Sequence, residues 1–194
     1  MRAFVLFALL LAPLASRASD DLPVPEGFVL QALAETDGQI ARPKDWFFAS
    51  QGTPSGWMWT ISKEDTRQGP YETGMRIQMF LGVAAKSGMT RPQFAEHFLA
   101  GKRDATTVLR DCPAQDAGDF MRRCLEVLES IDGPSGPRTY RILYSMMWGK
   151  QMDMVVLSIF GAPPEDWDSL EPVINTMAAF RIVGRNLGKA SAEG

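Results

Sequence analysis

The sequence predicts a single α+β domain, with a central antiparallel β-sheet flanked by helices. Several segments alternate apolar and polar side chains with the two-residue period of a strand. Two other segments, one mid-chain and one near the C-terminus, show helical spacing instead. Strands interrupted by helices in this order are typical of an antiparallel sheet with helices packed on it.

The first half of the domain is predicted to be mainly strands. An apolar stretch at Phe28–Leu33 and a second at Ile40–Pro43 flank turn-forming residues. Clear alternation follows at Trp57–Ser62 and again at Met75–Leu81. The Gly, Pro and Ser content of Gln51–Gly56 predicts a loop between the early strands.

A helix is predicted from Thr90 to near Gly101. Thr90 can accept a hydrogen bond at the helix start, and Gln93 completes a capping box three residues later. Phe94 and Phe98 share one face, which is the face expected to pack on the sheet.

The strongest local signal is a hairpin in the second half of the chain. Alternation at Tyr140–Met146 leads to Gly149-Lys150, a pair suited to a two-residue turn with glycine first. The returning strand is apolar on both faces from Val155 to Phe160, which predicts a central position in the sheet. Helical spacing at Leu170–Ala178 predicts a C-terminal helix.

The N-terminus resembles a cleaved signal peptide covering residues 1–18. Arg2 precedes a short apolar run at Ala3–Leu14, and Ser16 and Ala18 occupy the small-residue positions before a cleavage site. The run is shorter than a membrane-spanning helix, which needs about 20 residues. A buried N-terminal helix is the alternative, but acidic residues directly after the run favour a leader. The sequence therefore predicts export to the periplasm.

The remaining chain is predicted to be one soluble domain, residues 19–184, followed by a disordered tail at 185–194 that is small and polar. Its length suits one domain with its own core. The chain is acidic, with a formal net charge of −3, and it has no cluster of basic residues. That charge argues against nucleic acid as a partner, and no segment is apolar enough to predict a membrane span.

The two cysteines, Cys112 and Cys124, are predicted to form a structural disulfide. An even pair in an exported protein usually forms a disulfide. A turn predicted around Gly118 would place the two cysteines opposite each other in an antiparallel hairpin. A metal site lacks further ligands, and a redox role lacks the C-x-x-C spacing.

The segment Gln39–Trp46 is similar to the opening of the Mog1/PsbP-like superfamily, in which an apolar strand precedes Pro, two residues and Trp. The long middle hairpins and the final segment Trp167–Phe180 also resemble that superfamily. The resemblance implies an antiparallel sheet flanked by helices, usually without enzymatic activity. Its members act as assembly or stabilising factors, as small binding proteins, or as secreted proteins of unknown role. The superfamily has no fixed catalytic set.

No residue pattern in the chain predicts catalysis. His97, the only histidine, lies beside Phe98 and is predicted to border the buried helix face, where it would pack or cap. No serine stands in a nucleophile elbow or an S-x-x-K pattern. We therefore predict no catalytic residues and no cofactor, and we regard a hydrolase that uses His97 as the weakest alternative.

Three further groups of side chains have the chemistry of ligand sites. Four methionines around one turn could bind a soft metal, but methionine is also an ordinary core residue. Three acidic residues before the last helix could bind calcium, but the preferred interpretation is that they stabilise the helix N-terminus. Their charge opposes the positive end of the helix dipole, and Asp168 or Ser169 could cap the helix. Three tryptophans could line a cleft or belong to the core. These groups are Met146, Met147, Met152 and Met154; Glu165, Asp166 and Asp168; and Trp57, Trp59 and Trp148.

The sequence therefore predicts a non-enzymatic periplasmic protein that binds a protein partner in the cell envelope, with assembly or stabilisation of a complex as its expected role. The alternative is a small-molecule or metal-binding module that uses the aromatic or methionine-rich hairpins, although no metal ligand set is predicted.

Overall fold

The computed structural model describes residues 22–133 and 136–182. The predicted leader at 1–18 and tail at 185–194 lie outside these residues. The described part contains nine strands and three α-helices. The strands are β1 Phe28–Leu33, β2 Gly38–Pro43, β3 Phe47–Thr53, β4 Gly56–Ser62, β5 Gly74–Leu81, β6 Thr107–Ala117, β7 Phe120–Gly133, β8 Gly136–Gly149 and β9 Met154–Ala162. The helices are α1 Val83–Ser87, α2 Arg91–Ala105 and α3 Trp167–Ala178, the last preceded by a 3₁₀ turn at Pro164–Asp166.

Seven strands form one antiparallel sheet in the order β3-β4-β5-β9-β8-β7-β6, and β1 and β2 form a separate hairpin. The last strand in the chain, β9, is at the centre of the sheet and pairs with β5 and β8. It is buried along most of its length, as the apolar character of both its faces predicts. The predicted α+β fold class is confirmed.

Each face of the sheet has its own core. Helix α2 buries Ala95 and Leu99 against one face, formed by side chains such as Leu125, Val127 and Met146. On the opposite face, α3 and the β1–β2 hairpin pack together over a larger core. That core contains Leu33, Ile40, Trp59, Ile61, Phe160, Trp167, Ile174 and Met177. The result is a sheet enclosed between two layers.

Among residues 22–133 and 136–182, no helix combines the length and the apolar character that crossing a bilayer requires.

The cysteines lie directly opposite each other in β6 and β7 and are joined by a disulfide, with Cα atoms 4.9 Å apart. The register shifts on both sides of this pair, between Val108 and Arg110 and between Cys112 and Gln115. Because β6 is an exposed edge strand with two irregularities, the disulfide fixes its register against β7 at one point.

The start of α2 agrees with the sequence, but its end does not. Thr90 accepts a hydrogen bond from the Gln93 N–H, and the Gln93 side chain accepts one from the Thr90 N–H, so the predicted capping box is confirmed. The helix continues past Gly101 to Ala105. Lys102 and Arg103 stabilise this last turn, because their cations lie at the negative end of the helix dipole and reach acids on the sheet.

Two loop predictions were wrong. The predicted loop at Gln51–Gly56 is mostly strand, because Gln51 pairs with Met58 and only two residues separate β3 from β4. The predicted two-residue turn at Gly149-Lys150 is a four-residue connection, since β8 ends at Gly149 and β9 begins at Met154. Gly149 is required there for a different reason: a Cβ atom would lie 2.8 Å from the Met152 carbonyl oxygen.

A tyrosine-lined cavity as the candidate functional site

The candidate site is a cavity of about 740 Å³ on the α2 face of the sheet, at the end of the sheet that α2 does not cover. Its existence follows from a difference in length. Strand β8 has 14 residues and spans about 46 Å, whereas α2 has 15 residues and spans about 22 Å. The helix begins beside the β8–β9 connection, where the Arg91 guanidinium donates to the carbonyls of Met152 and Lys150. The half of β8 nearest Gly136 therefore remains uncovered.

Three adjacent strands form the floor of the cavity. Ile142 and Tyr144 project from β8, Ile159 from β9 and Arg76 from β5. Ile159 pairs directly with both Tyr144 and Arg76, so these side chains lie in one row across the sheet. Gly161, which pairs with Ile142, adds no side chain to the floor and deepens the cavity at that point.

All three tyrosines of the chain line this cavity. Tyr140 and Tyr144 lie on the same face of β8, and Tyr71 comes from the loop between β4 and β5. Burial is the largest effect on each phenol and raises the pKa of Tyr71, Tyr140 and Tyr144. The tyrosines therefore present neutral phenols and aromatic faces to a ligand at neutral pH.

Tyr144 is held in place by two residues at its outer end. Its hydroxyl donates to Glu129 Oε2 at 2.5 Å, and Glu129 Oε1 also accepts from Lys102 Nζ at 2.7 Å. The Lys102 ammonium lies 5.0 Å from the centre of the Tyr144 ring, and the Phe98 ring packs edge-on against it at 5.7 Å. The hydrogen bond to Glu129 also contributes to the raised pKa of Tyr144. The C-terminal half of α2 thus fixes the Tyr144 side chain on the floor of the cavity.

Arg76 supplies an available positive charge on the floor. Its side chain is exposed, and within the described ranges it has no hydrogen-bonded or ion-paired partner. Its charge lowers the pKa of both Tyr71 and Tyr144, opposing the effect of burial, so it lies near both phenols. A guanidinium without a carboxylate partner can donate two parallel hydrogen bonds to an anionic group.

An ion pair crosses the rim. Arg138 Nη1 lies 2.6 Å from Glu72 Oε2, which joins the β7–β8 hairpin to the loop that carries Tyr71. Arg138 also contacts Glu165 at 3.3 Å and lies 5.8 Å from the centre of the Tyr140 ring. Both charged partners in the Glu72 pair are about half exposed, so the pair positions the rim more than it stabilises the fold.

The cavity can therefore hold an apolar or aromatic group on its tyrosine and isoleucine side chains while Arg76 binds an anionic group. No histidine, cysteine or serine occurs among the described residues that line it.

The residues singled out from the sequence lie elsewhere. Trp59 is fully buried, Trp148 is nearly so, and Trp57 packs against the α3-side core, so the tryptophans are core residues and not cleft residues. The methionines are divided by the sheet: Met146 belongs to the α2-side core, whereas the other three belong to or pack on the α3-side core. No cluster of three or more His, Cys, Asp or Glu side chains with metal-binding geometry occurs in the described part of the chain.

The prediction for His97 was wrong. The buried positions of α2 are Ala95 and Leu99, and His97 is two residues from each of them. At 100° per residue it points away from the sheet, and its side chain is exposed. Its neighbour Phe98 is partly buried, which made the sequence pattern misleading.

The capping prediction for α3 was also wrong. The N-cap residue is Asp166, and no side chain accepts a capping hydrogen bond there. Ser169 donates instead to the Asp166 carbonyl at 2.7 Å. Glu165 is paired with Arg138, and Asp168 lies 3.9 Å from Arg141, so these acids contact sheet arginines. Asp168, in the first turn, still favourably opposes the helix dipole.

Sequence reasoning missed the cavity itself. The positions of Tyr140 and Tyr144 on one strand face were visible, but Tyr71 and Arg76 reach them only through strand pairings distant in sequence.

No protein-family model matches the sequence, and a search of curated protein sequences finds no match either. Among solved structures, the chain is similar to cyanobacterial PsbP, or CyanoP, from Synechocystis, with a TM-score of 0.52 and 12% identity. The similarity covers 89% of this chain and 100% of CyanoP. The protein has a PsbP-like fold. The predicted resemblance is thus confirmed at the level of the fold.

A weaker similarity links the chain to a Pseudomonas aeruginosa protein of unknown function, with a TM-score of 0.38 and 11% identity over 76% of this chain and 91% of that one. The PsbP-like fold assigns no ligand to the tyrosine cavity, so the function must be argued from the cavity's own side chains.

Proposed function

We propose that this protein is an exported, non-enzymatic binding protein, and that it recognises a segment of a protein partner through the tyrosine cavity. The observation that carries the proposal is the convergence of all three tyrosines on the unpaired Arg76 in one cavity. Tyrosine and arginine are the residues most enriched at the energetic centres of protein interfaces.

The shape of the rim supports a protein segment as the occupant. Ile131, on the β7–β8 hairpin beside the cavity, is a large apolar side chain with 43% of its surface exposed. Although Ile131 lines the cavity, this much of its surface faces solvent, so an extended segment could cover it while one side chain enters the cavity. The PsbP-like fold is compatible with this role, because the superfamily includes binding and assembly proteins.

Two features support the non-enzymatic and exported parts of the proposal. The described cavity lining offers no nucleophile paired with a base, which covalent or acid–base catalysis requires. The Cys112–Cys124 disulfide is typical of a protein that matures in an oxidising compartment. The predicted leader at residues 1–18 gives the route, and N-terminal sequencing of the mature protein, expected to begin at Ser19, tests it.

A small-molecule binding protein is the second candidate. The cavity volume of about 740 Å³ lies within the range of about 300–1,000 Å³ that small-molecule sites occupy. Under this alternative, the same tyrosines and Arg76 would bind an aromatic or apolar acid inside the cavity, and no partner segment would cover the exposed part of Ile131.

Native mass spectrometry of protein isolated from its own cells separates the two candidates. We expect a discrete additional protein mass on the wild type and its loss in Arg76→Gln, with Lys86→Gln as a charge-matched control on another part of the surface. An added mass of a few hundred daltons that is lost in Arg76→Gln would favour the small-molecule candidate. A bare chain in all three preparations, after mild cross-linking, would count against both.

A further inference from the structure

A second cavity, of about 420 Å³, lies on the opposite face of the sheet, between α3 and the paired strands β6 and β7. It is separate from the tyrosine cavity, which lies on the α2 face. Its described lining includes the disulfide, the side-chain amides of Gln115 and Asn175, three arginines and no acidic residue. Such a lining is unusual in a chain whose formal net charge is −3.

The three arginines differ in their partners. Arg110 pairs with the buried carboxylate of Glu126 at 2.8 Å, and Arg123 binds Glu96 of α2 on the other face. Arg122 has no acidic partner among the described residues. Its only described hydrogen bond runs from Nε to Ser145 Oγ, at 2.8 Å. The two Nη groups of Arg122 therefore remain available to the cavity.

The partial burial of Arg122 is a second indication that this cavity binds an anion. The side chain is only partly exposed, and burial without a carboxylate partner lowers its pKa. A guanidinium withdrawn from water and not paired costs free energy that an anion can offset. Gln115 is the direct cross-strand neighbour of Arg122, so its amide lies beside the guanidinium on the same face.

The surrounding charge favours an anion. Glu126 accepts from both Arg110 and Arg141, and Arg141 also lies 3.9 Å from Asp168, so among the described arginines on this face of β6, β7 and β8 only Arg122 lacks an acidic partner. The C-terminal end of α3 also contributes to the cavity, but the carbonyls of Thr176 and Met177 accept hydrogen bonds from the N–H groups of Ala179 and Phe180. The helix end therefore presents fewer free acceptors to an anion than its dipole alone would imply.

We propose that this cavity is a phosphate-binding site, in which the Arg122 Nη groups bind the phosphate oxygens and the amides of Gln115 and Asn175 donate to them. The ligand is either inorganic phosphate or the phosphate group of a larger molecule. The site is independent of the tyrosine cavity and of any partner bound there.

The test is a titration of the ¹⁵N-labelled full mature protein with inorganic phosphate, glycerol 3-phosphate and acetate at constant ionic strength, followed by amide chemical shifts. We expect saturable shifts confined to residues around Gln115, Arg122 and Asn175, with both phosphates bound more tightly than acetate. A tighter complex with glycerol 3-phosphate than with inorganic phosphate would identify a phosphate monoester as the ligand class.

Arg122→Gln should weaken phosphate binding at least about tenfold, since hydrogen bonds to a charged group are lost. Asn175→Asp, at an exposed helix position where folding is not at risk, should weaken it as well by adding a negative charge. Lys86→Gln serves as the matched control and should leave the affinity unchanged. Two results would overturn the proposal. One is amide chemical-shift changes that spread over the surface without saturating; the other is folded Arg122→Gln and Asn175→Asp variants that bind phosphate as tightly as the wild type.

Discussion

The hydroxyl of Tyr144 donates a 2.5 Å hydrogen bond to Glu129, and this bond connects the floor of the tyrosine cavity to the end of α2. Lys102 completes the connection from the helix by binding the other oxygen of the same carboxylate. The ring orientation on the cavity floor is thus set by a contact made beyond the floor itself. A change in α2 can therefore alter the cavity without touching its lining.

Removing this hydrogen bond is expected to cost stability. Tyr144→Phe keeps the aromatic ring and deletes only the hydroxyl, so the free energy of unfolding should fall by about 1.5–3 kcal/mol, as for a hydrogen bond to a charged group. Denaturant unfolding followed by circular dichroism measures the change. Tyr71→Phe is the matched control. The Tyr71 hydroxyl makes no hydrogen bond to another described residue, so its removal should lower the free energy of unfolding clearly less. Equal losses in the two variants would contradict the role given to Glu129.

The tyrosine pKa shifts predict an alkaline transition. Because burial raises the pKa of Tyr71, Tyr140 and Tyr144, the folded chain holds the phenolic protons more tightly than the unfolded chain, whose tyrosines titrate near pH 10. The resulting stabilisation is complete below about pH 10 and is lost as the pH rises above it. Phenolate absorbance should therefore appear at higher pH in the native protein than in denaturant. Superimposable titration curves would contradict the buried environment of these residues.

The disulfide should stabilise the protein chiefly by restricting the unfolded chain. Cys112 and Cys124 are 12 positions apart in the sequence, and closing a loop of that size contributes about 3 kcal/mol. Replacing both cysteines with serine should lower the free energy of unfolding by about that amount and make it insensitive to reductant. The wild type, measured with and without reductant, should show the same difference. A wild type equally stable in both conditions would rule out a stabilising disulfide.

The capping box at the start of α2 gives a local prediction. Thr90→Ala removes the hydroxyl that accepts from the Gln93 N–H and should cost about 1 kcal/mol. Thr107→Ala, at an exposed position of β6, is a suitable control and should change stability by less than about 0.5 kcal/mol. The denaturant concentrations at the unfolding midpoints, compared at a constant m-value, measure both changes in stability.

The comparison of sequence with structure separates local signals from long-range ones. The capping box and the apolar character of β9 depend on neighbours in sequence, and both were predicted. The tyrosine cavity depends on where α2 ends above β8 and on the pairing of β5 with β9, which no local pattern specifies. The error at His97 has the same origin: its sequence neighbours Phe94 and Phe98 border the packed face, and the side that His97 presents depends on how α2 is rotated against the sheet.

Site-specific photo-cross-linking in the native cells tests the central claim most directly. A photoreactive benzoylphenylalanine replaces Ile131 at the rim of the tyrosine cavity or, as a control, Glu171 at an exposed position of α3. We predict a discrete protein adduct from position 131 only, reduced severalfold by Arg76→Gln and unaffected by Lys86→Gln. Equal adducts from both positions, or an adduct from position 131 that does not depend on Arg76, would show that the tyrosine cavity is not the partner-binding site.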